Sequence, residues 1–315
     1  MPEVVTIGEA MALFVTDPAR PLRAARAFSR SIAGAESNVA IGVCRLGRTA
    51  GWIGRVGDDP LGLGLLDALR AEGVDTAHAI IDADAPTGVL IRDRHPERPM
   101  HVLYYRRGSA GARLQPGDVP ADYVGSARIT HLTGITPALS DSARAAVEHA
   151  ATLARNAGVE VVFDPNLRLK LWSAQEAAAA IAPLVALSST VLVGGDEALL
   201  LAGVSDERAA ADWFLDRGAP LVVVKQGADG SWATDGQQTW EAPGRPVTPV
   251  DVVGAGDAFA AGFLVARLDG GTVERCLEVG NAAGALCTQV PGDIEGLPYP
   301  GDLEALLAGD SDVHR

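Results

Sequence analysis

Short apolar runs rich in β-branched residues recur along this chain at 4–7, 50–53, 129–132, 159–163, 191–193 and 221–225. Windows with helical spacing fall between many of them, including 140–156, 173–187 and 206–217. This alternation constrains the fold more than any other feature. Parallel strands are joined by crossovers, and the crossover is usually a helix that packs back on the sheet. The sequence therefore predicts an α/β fold, a three-layer α/β/α sandwich around a mostly parallel central sheet. Ser173 and Glu176 form a capping-box pattern that opens the second helical window. The alanines at 177–180 continue it as good helix formers.

Two stretches break the rhythm. Residues 12–32 and 87–107 carry strand-like pieces with no helix between them. They predict a small antiparallel lid assembled from two separate parts of the chain. No repeat or low-complexity linker divides the sequence, so residues 1–315 read as one domain with the lid inserted into it. An exposed lid edge could pair with a second copy to give a homo-oligomer. The polar tail at 309–315 is expected to fray.

With 48% hydrophobic and 21% charged residues, the chain can bury a sizeable core. Its net charge of −14 argues against nucleic acid as a partner. A small anionic ligand remains compatible, because a few arginines can invert the field inside one cleft. Cys44, Cys276 and Cys287 lie far apart among apolar neighbours, with no C-x-x-C pair and no H-E-x-x-H, so no zinc site is indicated. Free thiols, with no leader-like segment or membrane-length apolar window, point to a cytoplasmic protein with no membrane partner.

The segment Asp251-Val252-Val253-Gly254-Ala255-Gly256-Asp257 runs into apolar residues at helical spacing over 258–268. Gly254 and Gly256 thus stand at a helix start, where unpaired N–H groups and the positive dipole end favour an anion. Asp257 falls in the first turn. Such N–H groups can stabilise a moving phosphoryl group while the carboxylate accepts a hydroxyl proton. On these residues alone, a plain helix cap with two turn glycines fits as well. A dinucleotide fingerprint does not, because Phe259 stands where G-x-G-x-x-G needs its last glycine. No G-x-x-x-x-G-K-[ST] occurs either.

A second glycine segment, Gly34-Ala35-Glu36-Ser37-Asn38, opens another helical run. Asn38 in its first turn can bond a sugar hydroxyl or the local backbone. If 100–107 is a strand, alternation places Tyr104 and Arg106 on one face, toward a cleft or toward solvent. Arg168 lies just past the run at 159–163, where ligands of such sheets bind. A guanidinium there can pair with a carboxylate or a phosphate.

Residues 251–263 resemble the C-terminal signature of the PfkB, or ribokinase-like, carbohydrate kinases. Gly34 to Gly47, with Gly54-Arg55-Val56-Gly57-Asp58-Asp59, resembles their N-terminal signature. The resemblance covers essentially the whole chain and implies a ribokinase-like fold that uses ATP and Mg2+, with a monovalent cation in some members. It implies Asp257 as catalytic base and the backbone of Gly254, Ala255 and Gly256 as anion hole. Gly34, Ala35 and Asn38 would line the sugar pocket under Tyr104 and Arg106, with Arg168 and Asp293 close by. The nucleotide side would comprise Asn166, Arg168, Lys225, Gly227, Ala228, Gly230, Asn281 and Ala285, together with Gly254 and Gly256. Glu197 matches the Glu of an Asn-x-x-Glu element that acts on magnesium through water, with Gly194 in place of the Asn.

Within that family, four pieces are most similar to 2-keto-3-deoxygluconate kinases: Gly34-Ala35-Glu36, Tyr104 to Ala110, His131-Leu132-Thr133-Gly134-Ile135, and Asn166-Leu167-Arg168 with Leu171-Trp172. That likeness implies phosphorylation of the terminal hydroxyl of a sugar acid, giving 2-keto-3-deoxy-6-phosphogluconate. Arg106 and Arg168 would give the acid a cationic partner, although Arg168 can equally face the ATP phosphates. Leu90 stands where similar kinases place a Tyr. Gly8-Glu9-Ala10-Met11 also resembles the opening of fructokinases, which carry an Asp where Leu13 stands here, so a neutral sugar is the alternative. A non-catalytic sugar or nucleotide binder on the same fold would have no use for Asp257.

Overall fold

The computed structural model describes residues 1–17, 20–93 and 100–309. The tail beyond 309 and the parts of the expected lid at 18–19 and 94–99 lie outside the described residues. In chain order the strands are β1 (Val4–Ile7), β2 (Met11–Thr16), β3 (Phe28–Ala33), β4 (Ala50–Gly57), β5 (Ala79–Asp82), β6 (Val89–Arg92) and β7 (Val102–Tyr105). They continue as β8 (Ile129–Thr133), β9 (Glu160–Asp164), β10 (Thr190–Gly194), β11 (Val222–Lys225), β12 (Gly230–Thr234) and β13 (Thr239–Pro243). The α-helices are α1 (Ala35–Arg45), α2 (Pro60–Ala71), α3 (Ala121–Gly125), α4 (Asp141–Asn156), α5 (Ala174–Leu187), α6 (Gly195–Ala202), α7 (Glu207–Leu215), α8 (Ala255–Leu268), α9 (Val273–Cys287) and α10 (Pro300–Ala308).

The main sheet has the order β13-β12-β11-β10-β9-β8-β1-β4-β5. It is parallel from β5 to β11, and only β12 and β13 run antiparallel. Because successive strand residues point to opposite faces, each buried strand feeds two cores. Val4, Trp52, Val162, Leu192 and Val223 pack with Ala261 and Phe263 of α8 and Leu277 of α9. Val5, Ile53, Leu132, Phe163 and Val191 pack with Val147 of α4, Ile181 of α5 and Phe214 of α7. Ser173 caps α5 as its sequence predicts: its Oγ accepts the Glu176 N–H at 3.2 Å, and Glu176 Oε2 accepts the Ser173 N–H at 2.8 Å. The run at 50–53 extends to Gly57, because β5 pairs along that second half. β5 and the β12–β13 hairpin have no counterpart among the runs read from sequence.

A second sheet, in the order β3-β2-β6-β7, draws its strands from both stretches that break the sequence rhythm. Within it β2 and β6 are parallel and the outer pairs antiparallel. Met11, Leu13, Ala33 and Leu90 form its own small buried cluster. The carboxyl ends of β9, β10 and β11 bring Asp164, Gly194 and Lys225 to the rim of the main sheet, where they line one cleft together with the start of α8. The cysteines are unpaired. No helix among the described residues is long and apolar enough to cross a membrane.

Candidate active site

The chain enters α8 through Gly254, whose φ is 80°. A Cβ there would lie 2.5 Å from the Asp293 carbonyl oxygen, so glycine is needed both for the left-handed turn and for the close approach. Among the described residues no side chain caps α8. The Ala255 N–H makes a long bond to the Val252 carbonyl at 3.4 Å, so the N–H groups of Gly254 and Gly256 are the ones left to the cleft that Gly254, Ala255 and Gly256 line. Asp257, in that first turn, accepts a hydrogen bond at Oδ2 from Asn38 Nδ2 at 2.8 Å. Burial pushes its carboxyl up to about 7; the Asn38 hydrogen bond, Arg168 and Lys225 pull downward, and Asp164 adds to the rise. A carboxylate poised there can accept a proton near neutral pH.

Asn38 comes from α1, which starts at Gly34. That glycine has a φ of 151°, and a Cβ on it would lie 2.5 Å from the Glu9 carbonyl oxygen. The sequence offered Asn38 either a sugar hydroxyl or local backbone. The structure instead gives its N–H2 group to Asp257, and its buried Oδ1 has no partner among the described residues and can accept from a ligand.

All the candidate residues line one cleft of about 880 Å3. Gly34, Ala35 and Asn38 reach it from the start of α1, Tyr104 and Arg106 from the end of β7 and Asp293 from the loop after α9; Gly227, Ala228 and Gly230 follow β11, Asn281 and Ala285 lie on α9, and Asn166, Arg168, Glu197, Lys225 and Asp257 line the same cleft. Lys225 Nζ lies 2.6 Å from Asp164 Oδ2. Burial disfavours its charge, but Asp164 and Glu197 more than offset this, so the ammonium titrates above its usual range. A Cβ on Gly256 would sit 3.8 Å from that Nζ, which places the ammonium against the α8 start. Asp164 Oδ1 accepts the Asn166 N–H at 3.0 Å, holding Asn166 at φ 40°, where side chains other than glycine are uncommon. Arg168 Nη1 is 4.0 Å from Glu197 Oε1. Glu197 is pushed up by burial and then by Asp164, and its Oε2 accepts the Gly194 N–H at 3.3 Å.

Some residues are differently engaged than the sequence suggests. β7 ends at Tyr105, so Arg106 lies just beyond the strand yet still faces the cleft with Tyr104. Arg106 pairs with the buried Glu9, which also accepts from Ser109 Oγ. Asn281 donates its amide to the carbonyls of Ala242 at 2.9 Å and Pro243 at 3.3 Å, tying α9 to β13. Asp293 has its carboxyl pushed up to about 7, chiefly by burial. Sequence reading passed over Glu9, Asp164 and Arg92, which also line the cleft. For Glu9 and Asp164 a signal existed: each sits at or just past the carboxyl end of a predicted strand.

The family model of the pfkB carbohydrate kinases matches residues 1–300. The chain belongs to the PfkB family of carbohydrate kinases. It is 39% identical to a 2-dehydro-3-deoxygluconokinase of Bacillus subtilis (strain 168), over 99% of this chain and 98% of that protein. It is 37% identical to a 2-dehydro-3-deoxygluconokinase of Thermoproteus tenax, over 98% of this chain and 94% of that protein. Among solved structures, an E. coli protein described as a ribokinase II, in complex with ATP and Mg2+, superimposes with a TM-score of 0.91 at 26% identity, over 98% and 100% of the two chains. In a PfkB kinase with this cleft, the uncapped α8 start and Lys225 suit a phosphate chain. Among the described residues no three His, Cys, Asp or Glu side chains form a metal cage. Asp164 and Glu197 are the two carboxylates of the cleft beside Lys225 that could hold a hydrated Mg2+.

Proposed function

We propose that this carbohydrate kinase transfers the γ-phosphoryl group of ATP to the terminal hydroxyl of 2-keto-3-deoxygluconate. The observation that carries the reading is Asp257, held by Asn38 at the first turn of an uncapped helix and titrating at about 7. Its carboxylate takes the hydroxyl proton as that oxygen bonds to the γ-phosphorus and the bond to the departing ADP oxygen breaks. The N–H groups at Gly254 and Gly256, with that of Ala255 once it leaves its long bond to the Val252 carbonyl, then face the charge growing on the transferred group. Lys225 stands against the same helix start and meets the phosphates, and Mg2+, when bound, offsets their charge. Asn38 Oδ1 is left to accept from a sugar hydroxyl. Asp164 and Glu197 are the carboxylates that would hold Mg2+ through its waters.

Two relatives named as 2-dehydro-3-deoxygluconokinases support the sugar acid, as do Arg106 and Arg168 in the cleft. One observation favours a second reading, a neutral sugar: Arg106 already pairs with Glu9, which takes up part of its charge. Leu90, buried in the cleft wall opposite Tyr104 in register, offers no hydroxyl to either substrate. The second sheet would act as a lid over the sugar. Phe28, Leu103 and Tyr105, exposed on it, support contact between copies of the chain there. Unpaired thiols and a need for ATP support a cytoplasmic setting.

The reading is tested by ADP release with ATP and Mg2+ on 2-keto-3-deoxygluconate, fructose, ribose and no sugar. Turnover is expected to be fastest on the acid, and preference for fructose would favour the neutral reading. Asp257→Asn should still bind ATP but lose on the order of 10²–10⁴-fold in kcat; near-wild-type turnover would remove Asp257 from the mechanism. Arg106→Ala and Arg168→Ala should each raise KM for the acid more than for a neutral analogue, whereas equal losses would show that neither reads the carboxylate. Light scattering should give a dimer mass that falls to the monomer in Tyr105→Asp; a wild-type monomer would refute the contact.

A further inference from the structure

Arg92 lies on β6, facing inward from the second sheet, with 2% of its surface exposed. Its Nη2 is 2.9 Å from Asp251 Oδ2 and 3.4 Å from Asp293 Oδ1. These two carboxylates belong to the two loops that frame the start of α8. Asp251 Oδ1 accepts the Val253 N–H at 3.1 Å, and its Oδ2 accepts the Gly292 N–H at 3.3 Å. Asp251 thereby ties the turn into Gly254 to the loop that carries Asp293, against whose carbonyl Gly254 rests. Two buried carboxylates this close repel each other unless a cation lies between them, and Glu295 adds to the negative field at Asp293. Arg92 is that cation, and it comes from a sheet 159 residues away in sequence from Asp251.

We infer that Arg92 is a positioning residue: its guanidinium supplies, from the second sheet, the positive charge around which the 251–254 and 291–293 loops close, and so fixes the anion hole. The inference rests on reading Gly254, Ala255 and Gly256 as that anion hole. Two consequences separate it from a merely structural ion pair. An anion hole acts mainly on charge that develops in the transition state, so disturbing it lowers kcat far more than it raises KM for ATP. The Arg92 guanidinium already stands between Asp251 and Asp293, so these two carboxylates need no monovalent cation from solution to offset their charge, and turnover should not depend on one.

The test compares wild type, Arg92→Lys and Arg92→Gln on whichever sugar the wild type phosphorylates, each with a melting temperature above the assay temperature. Assays run in KCl and in choline chloride at equal ionic strength. Wild type should change by less than about twofold between the salts, and Arg92→Lys should keep kcat within about tenfold. Arg92→Gln, of similar length but neutral, should lose kcat on the order of 10²-fold with KM for ATP within about threefold. Wild-type kcat in Arg92→Gln, equal losses in the Gln and Lys variants, or a loss of about tenfold or more for wild type in choline would each overturn the inference. Should Arg92→Gln fail to fold, the Lys variant and the salt comparison decide, and a folded Lys variant that loses about 10²-fold overturns it. A wild type inactive on every sugar would instead sink the functional reading, and that shows before any variant is compared.

Discussion

Gly254 enters α8 at a positive φ with its Cα pressed against the Asp293 carbonyl, and the chemistry of the cleft depends on that contact. Were the turn relaxed by a side chain, the helix axis would move off the loop at 291–293. The uncapped N–H groups would then no longer share a wall with Asp293. Because the turn holds, Asp257 sits in the first turn of α8 within reach of Asn38 on α1. One backbone conformation thus fixes both an anion site and the carboxylate beside it.

The chain carries a net charge of −14, yet its cleft holds Lys225, Arg168, Arg106 and Arg92. Each of these cations faces a carboxylate: Asp164, Glu197, Glu9, and Asp251 with Asp293. Such pairing stops the cations from folding away toward solvent and fixes their directions before any ligand arrives, the preorganisation on which electrostatic catalysis relies. It also leaves the cleft far less positive than a count of its cations suggests. That is why the arginines alone do not decide between an acidic and a neutral sugar.

Much of this was legible in the sequence, for identifiable physical reasons. Apolar runs set between helical windows specify a parallel sheet, because both faces of each strand must be covered. The two glycine segments specify helix starts, because their φ values and close contacts exclude a Cβ. The β12–β13 hairpin was missed: its strands are short and only partly apolar, although Asp235-Gly236 between them is a strong turn signal. Pairings between distant residues were not legible at all. Asn38 reaches Asp257 across 219 residues, and no local pattern distinguishes a donor to a carboxylate from a donor to a sugar. Arg92 reads as an ordinary strand-end arginine until the second sheet folds over the α8 start.

The central claim, that Asp257 is a base tuned by its burial and by Asn38, is met most directly by the pH dependence of kcat/KM in wild type and Asn38→Ala. The base works only when ionised, so log kcat/KM for wild type should rise with unit slope through acid pH and level off near pH 7, the value to which burial pushes Asp257. Asn38 donates to the charged form and lowers that pKa, so removing it should move the break to higher pH. A wild-type profile flat from about pH 5 to 8, or a break that moves downward in Asn38→Ala, would contradict the account.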